Sequence, residues 1–267
     1  MKQAIDLRKK VYPCLQENKT SPLVLLHGWA FDSRIWQDLI KPLQAFTQVI
    51  TLDLPGFGDN HEAWFNDEED ICKKIVQTMP PHAIYAGWSL GGMLATKIAA
   101  MFPERVAGII TLATNISFIE RKGWTQGMDI AEFQDFYNAV EKDPKRALKR
   151  FYLLVSQGDQ LARQQLGWLQ NIVIQAEDYC NLLPTLSLLR RINNCDDIHR
   201  LRAPGLHIFG EQDRLVPLSV AQKLTDSSVQ YRNHRQQCNL LKKTGHLVFW
   251  PSERVTLSIK DFLTELH

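Results

Sequence analysis

The sequence predicts an α/β fold: a mostly parallel central sheet flanked by helices, with a helical cap inserted between two of its strands. Three observations predict it. Short apolar runs of strand length alternate with segments of helical period in the first 114 residues, a pattern that calls for β-α-β crossovers and parallel strands. From residue 115 to residue 191 the alternation stops and the pattern is largely helical. From residue 192 it resumes and runs to the end of the 267-residue chain. The expected organisation is therefore a core of residues 1–114 and 192–267 carrying a cap of residues 115–191.

The elements follow in order. Residues 1–21 are mixed and polar, with room for one or two short strands. The apolar run 23–26 is a buried strand that ends in His27-Gly28-Trp29. Ser33 is placed to cap a helix with Ile35, Trp36, Leu39, Ile40 and Leu43 on its inner side. Residues 49–52 form the next strand, broken by Asp53-Leu54-Pro55-Gly56-Phe57-Gly58. A helix over 67–79 is stopped by Pro80-Pro81. Residues 83–86 lead into Gly87-Trp88-Ser89-Leu90-Gly91-Gly92 and then a helix to Met101. A strand over 106–113 closes this half. Within the cap, Asp143-Pro144 reads as an N-cap followed by proline at the first helical position. After it come a strand at 206–209, a helix at 219–224, a strand at 238–241 and a closing helix at 255–266.

Composition excludes several classes of function. A net charge of +2 gives no general affinity for nucleic acid, and no basic surface is interleaved with aromatics. No apolar run reaches the length of a membrane span, and residues 1–10 lack the apolar core of a signal peptide. Cys14, Cys72, Cys180, Cys195 and Cys238 are scattered and odd in number, with neither disulfide nor zinc spacing. The expectation is a cytoplasmic protein needing no metal and no organic cofactor.

The chemistry centres on Gly87-Trp88-Ser89-Leu90-Gly91, which fits G-x-S-x-G between a strand and a helix. A serine on such a turn lifts its hydroxyl above the sheet, and the helix N-terminus behind it favours developing negative charge. In a parallel sheet reactive groups collect beyond the carboxyl ends of the strands. Ser89, Asp213 and His246 each follow a strand by a few residues, in the order nucleophile, acid, base. His246 is the expected base and Asp213 its orienting carboxylate. Taken alone, His246 is equally a loop histidine and Asp213 a turn-forming carboxylate; their occurrence with Ser89 joins them. Asp53 also ends a strand, but Pro55-Gly56 favours a turn role for it. His61, His82, His199, His207, His234 and His267 lack a comparable setting. The oxyanion donors are expected to be the backbone N–H groups of Leu90 and Trp29, with the Trp29 indole facing the acyl pocket or packing in the core.

Together, His27-Gly28-Trp29, the 53–58 loop, the Ser89 turn, Gly210-Glu211-Gln212-Asp213 with Val216-Pro217, and Gly245-His246 resemble the α/β-hydrolase superfamily over nearly the whole chain. Within it, His-Gly-Trp combined with Gly-Trp-Ser-Leu-Gly-Gly is similar to the biotin-synthesis carboxylesterases that cleave pimeloyl-[acyl-carrier protein] methyl ester. That resemblance implies an α/β-hydrolase fold and substrate contacts at Trp29, Ser89, Leu90, Phe151, Tyr152, Leu153, Leu154, Val155 and His246. It also implies contact between an acidic acyl-carrier protein and Arg146, Arg150 and Arg163. A fourth arginine of the family pattern is replaced here by Gly167, and Asp59-Asn60 replaces a small or basic pair, with no function assigned to it.

Independently of the resemblance, Lys142, Lys145, Arg146, Lys149 and Arg150 recur at helical spacing. A solvated helix face is the default reading; on the cap of an esterase the same stripe would steer an acidic carrier. Phe151, Tyr152 and Leu154 beside it suit either an acyl channel or the cap's own core. The expected activity is a serine carboxylesterase releasing methanol from pimeloyl-[acyl-carrier protein] methyl ester. A broad small-ester carboxylesterase, a carbon–carbon bond hydrolase and a non-catalytic ligand receptor are the alternatives.

Overall fold

Among the described residues, seven strands, named in chain order, form a single sheet: β1 (Lys9–Tyr12), β2 (Leu23–Leu26), β3 (Val49–Leu52), β4 (Ala83–Trp88), β5 (Val106–Leu112), β6 (Gly205–Gly210) and β7 (Gln236–Leu241). The computed structural model describes residues 6–16, 20–172, 174, 176–225 and 235–266. His234, His267 and residues 1–5 lie outside them. The strands are arranged β1-β3-β2-β4-β5-β6-β7, with β1 antiparallel to β3 and every other pairing parallel. Residues of β2, β4 and β6 are buried at every position, as expected of strands covered by helices on both faces.

Helices α1 (Gln37–Gln44), α2 (Glu68–Thr78), α3 (Leu90–Met101), α8 (Leu218–Thr225) and α9 (Glu253–Glu265) belong to the sheet layer. Between β5 and β6 lie α4 (Ile130–Lys142), α5 (Pro144–Ser156), α6 (Ala162–Leu169) and α7 (Leu182–Arg191). The insertion contributes only isolated β-bridges, such as Ser117 with Asn193, and no strand among its described residues. The expected alternation is present, with boundaries shifted by one to three residues. Strand β5 stops at Leu112 because Ala113 turns into the left-handed region at φ 46°.

Two expectations are corrected. Ser33 does not cap the first helical segment; Asp32 does, with extended backbone and a carboxylate accepting from Arg34 N at 2.9 Å. Ser33 instead gives its own amide to Asp53 Oδ1 at 2.6 Å. The basic stripe is also not one helix face. Asp143 ends α4 after Lys142 and caps α5 by accepting from Arg146 N, so only Lys145, Arg146, Lys149 and Arg150 share a helix.

Edge strand β1 is held by Asp59-Asn60, the pair to which sequence alone gave no role. Buried Asn60 accepts from Arg8 N (2.7 Å) and donates to Arg8 O (2.9 Å) and Asp53 O (2.6 Å). Asp59 pairs with Lys10 at 2.9 Å. Asp53 is thereby a structural staple: its second carboxylate oxygen accepts from Asp59 N at 2.8 Å.

A second buried polar link crosses β5, β6 and β7. Gln236 donates its amide to Ala203 O and so offers Oε1 to His207 Nε2 at 3.0 Å. His207 therefore carries its proton on Nε2, and Nδ1 accepts from the Thr111 hydroxyl at 2.8 Å. Burial pushes the ring below the ordinary imidazole value, and the same holds for His27. Above pH 6.5, the unshifted imidazole value, both rings are neutral in folded and unfolded chains alike and stability is full. Below it the unfolded chain takes up protons that the folded chain refuses, and each histidine costs up to about 1.4 kcal/mol per pH unit down to its folded value. The urea midpoint should fall on acidification from about pH 6.5 to about pH 5.5. A flat profile would refute this account.

Candidate active site

The turn from β4 to α3 is built by close approach. A Cβ on Gly91 would lie 2.1 Å from the Leu26 carbonyl oxygen, and one on Gly87 would lie 2.1 Å from the Gly91 carbonyl carbon. Only glycines at both positions let the helix start directly over β2 and β4. Ser89 takes the strain of the turn, at φ 54° and ψ −114°. Its amide donates to Leu112 O and its carbonyl accepts from Met93 N, both at 3.0 Å, so the strained residue is fixed from both sides. The Ser89 side stays partly open to solvent while Trp88 and Leu90 are buried.

Asp213 follows β6 and His246 follows β7, so both reach the same end of the sheet as Ser89. His246 Nδ1 donates to Asp213 Oδ2 at 2.7 Å, with both side chains 1% exposed. The other carboxylate oxygen of Asp213 accepts from Leu215 N (2.8 Å) and Val216 N (3.0 Å). This leaves Nε2 of the ring free to act as acceptor. The imidazole lies 5.3 Å from the indole of Trp88, the neighbour of Ser89, and Trp88 Nε1 donates to His246 O at 3.0 Å.

The loop after β2, which carries Trp29, is held by His27. Leu54 N donates to His27 Nε2 at 2.8 Å, which places the proton on Nδ1 for Gly28 O at 2.8 Å. Ala30, next to Trp29, is left-handed at φ 62°. Tyr152 of α5 donates to its carbonyl at 3.1 Å. The Trp29 indole N–H is taken by Thr185 Oγ1 of α7 at 3.0 Å, and its ring meets Phe151 (5.0 Å between centroids) and Phe136 (5.5 Å) edge-on. Phe31 bridges Trp88 and Tyr152. An apolar aromatic wall thus joins the Trp29 loop to the insertion.

The substrate contacts expected at residues 151–155 divide. Phe151 and Tyr152 face the Trp29 loop; Leu154 is half-buried and Val155 buried. Leu153 is exposed. With the Tyr152 side chain, Leu148, Leu166 and Leu169 it lines an apolar cavity of about 260 Å³ bordered by Lys145 and Lys149. Arg146 and Arg150 on α5 and Arg163 on α6 are exposed, and Gly167 faces open space.

Sequence reasoning missed several contributors. Phe31 and Phe136 carried no signal beyond helical or loop hydrophobicity. Thr185 and Asp159 are ordinary polar residues of the insertion until the fold sets them against Trp29 and Gly245. No described helix is long and apolar enough to cross a membrane, and no group of three or more metal-ligating side chains occurs among the described residues.

Comparison with known proteins adds to this geometry. A family model described as the alpha/beta hydrolase fold matches residues 21–253. The biotin biosynthesis bifunctional protein BioHC of Teredinibacter turnerae is 35% identical over 232 residues, covering 81% of this chain and 40% of that protein. The chain likewise spans 48% of the Cellvibrio japonicus protein of the same name, so it matches less than half of these bifunctional relatives. The pimeloyl-[acyl-carrier protein] methyl ester esterase of Vibrio parahaemolyticus is 32% identical over 243 residues, covering 90% of this chain and 93% of the relative. Among solved structures, an enol-lactonase from Burkholderia xenovorans superposes with a TM-score of 0.80 at 15% identity, covering 97% of this chain and 96% of the other. An esterase from Exiguobacterium antarcticum gives 0.79 at 18% identity, covering 98% of both. At such identities the solved structures speak for the fold alone.

Proposed function

The chain belongs to the α/β-hydrolase fold family, and from that premise we propose that it is a serine carboxylesterase that hydrolyses the methyl ester of pimeloyl-[acyl-carrier protein] in biotin synthesis. The observation that carries the chemistry is the His246–Asp213 bond at 2.7 Å, set beside the strained Ser89 turn. The substrate rests on the relatives, which at 30–35% identity carry esterase or BioHC names.

In this reading Ser89 Oγ attacks the ester carbonyl and its proton passes to His246 Nε2. The carbonyl oxygen, now anionic, is held by the backbone N–H groups of Trp29 and Leu90. Asp213 keeps the ring in the tautomer that can accept this proton and stabilises the imidazolium. The intermediate collapses as His246 returns the proton to the departing methoxide, releasing methanol. A water then gives a proton to His246 and attacks the acyl-enzyme, freeing the carboxylate and restoring the Ser89 hydroxyl. The thioester to the carrier protein is untouched.

Arg146, Arg150 and Arg163 would meet the acidic carrier, supported by their exposure on α5 and α6. The apolar wall of Trp29, Phe136 and Phe151 suits the chain of methylenes that the carrier delivers. The protein should act in the cytoplasm, where carrier-bound acyl chains are made.

The test is complementation of a biotin-requiring bacterium that lacks its pimeloyl-carrier methyl esterase. The wild-type gene should restore growth without biotin and Ser89→Ala should not. In parallel, a fluorophosphonate probe should label the wild-type protein at Ser89. No rescue by the wild-type gene would sink the substrate assignment, and no labelling would sink the serine mechanism.

A further inference from the structure

Residues 157–161 of the insertion touch the loops of both the catalytic acid and the catalytic base, and that contact centres on a buried carboxylate. Asp159 has no exposed side-chain surface. Its Oδ2 accepts from Gly245 N at 3.0 Å, the amide immediately before His246, and from Arg254 Nη1 at 2.6 Å. Its Oδ1 accepts from Leu161 N at 2.7 Å and Arg254 Nη2 at 3.0 Å. All the bonding capacity of one carboxylate is thus divided among the insertion, closing helix α9 and the loop of the catalytic base. Arg254 holds the carboxyl below the usual range against the opposing effect of burial, so it is ionised at neutral pH.

The backbone repeats the same connection. Gln160 N donates to Lys243 O at 3.1 Å. Gly158, at φ 86°, comes so close to Gln212 that a Cβ would lie 2.1 Å from its carbonyl oxygen. Gln212, the neighbour of Asp213, donates its amide to Thr244 O at 2.9 Å. The segment therefore rests on the acid's loop and the base's loop at once.

We propose that Asp159 is a positioning residue for the hydrolytic reaction, fixing the His246 loop through the Gly245 amide, a bond its carboxyl oxygen accepts whether charged or not, while Arg254 serves stability. The inference rests on reading His246 as the base. Its physical basis is that a base must sit within hydrogen-bond reach of the nucleophile, and loss of that placement weakens proton transfer without altering substrate binding. Asp159 touches no reacting atom and acts only through the loop.

Two variants separate positioning from simple stabilisation. Asp159→Ala and Arg254→Gln both break the buried ion pair, so both should lower the melting temperature. Only Asp159→Ala also removes the acceptor of the Gly245 amide. With p-nitrophenyl butyrate, at a temperature where both variants are folded, Asp159→Ala should lower kcat about 10- to 100-fold with KM within about twofold of wild type. Arg254→Gln should keep kcat within about threefold of wild type. The second readout is the low-field proton resonance of the His246 Nδ1–H, present in wild type and in Arg254→Gln and broadened or shifted in Asp159→Ala. If Asp159→Ala does not fold, the double variant Asp159→Ala/Arg254→Leu, which removes the acceptor without leaving the guanidinium unpaired, carries the same comparison. Equal losses of kcat in both variants, or an unchanged His246 resonance in Asp159→Ala, would overturn the proposal. The ring signal is read whether or not an ester is cleaved, so failure of the esterase reading and failure of the positioning role remain distinguishable.

Discussion

Asp213→Asn should lower kcat for short esters about 10⁴-fold while the protein stays folded. The size follows from which atoms the carboxylate serves. One oxygen of Asp213 accepts two backbone N–H groups, from Leu215 and Val216, and the other accepts from His246 Nδ1. An asparagine can satisfy the two amides only with its carbonyl oxygen, because an NH₂ group there would set donor against donor. The NH₂ group is then turned onto His246 Nδ1. Nδ1 must accept, the ring proton moves to Nε2, and the base can no longer take a proton from Ser89. The side chain's shape is conserved while the tautomer is reversed. Steady-state kinetics with p-nitrophenyl butyrate, together with nitrogen chemical shifts of the imidazole, measure both halves of the claim. A variant within about tenfold of wild-type kcat would show that the ring is oriented by something else.

The second large effect concerns folding. Gly91→Ala should destabilise the protein by about 3 kcal/mol or more, because the new methyl group would sit 2.1 Å from the Leu26 carbonyl oxygen. The clash is with backbone of the neighbouring strand, so no side-chain rotation relieves it; α3 must move away from β2, carrying the Ser89 turn with it. For a chain of this size the melting temperature should drop by roughly 10 °C, measured by circular dichroism. Gly167→Ala is the matched control. Gly167 lies within α6, and a Cβ there would meet no atom within 4 Å, so alanine should raise stability by about 0.5–1 kcal/mol. Melting temperatures that move together in the two variants would contradict the steric account.

The contrast between these glycines shows what was legible in the chain. The Ser89 turn is a local object: a buried strand, two glycines flanking a serine and an apolar helix lie within a few residues of one another, and short-range pattern registers all of them. Strands β2 and β4 are legible because burial on both faces leaves an unbroken apolar run. Contacts between elements far apart in the chain leave no such trace. Asp159 meets Arg254 across 95 positions and Trp29 meets Thr185 across 156, and neither pair has a spacing that could announce it. Ser33 and Asp32 are both competent caps, and the choice is decided by Asp53, which takes the Ser33 amide. The separation of Lys142 from α5 is a different kind of miss. Asp143-Pro144 marks a helix start, and counting basic residues through that start treated a helix break as continuous helix.

The insertion has several footings: residues 157–161 on the loops of Asp213 and His246, α5 and α7 on the Trp29 loop through Tyr152 and Thr185, and α6 on the His246 loop, where the Trp168 ring meets Trp250 at 5.6 Å. A segment held this way keeps its buried face fixed and leaves its exposed positions exchangeable. Solvent-facing positions between the footings, Arg163 and Gly167 of α6 among them, can be rewritten to suit another acyl donor without disturbing Ser89, Asp213 or His246. Natural or laboratory selection for a new substrate would then accumulate its changes there, and leave the footings alone.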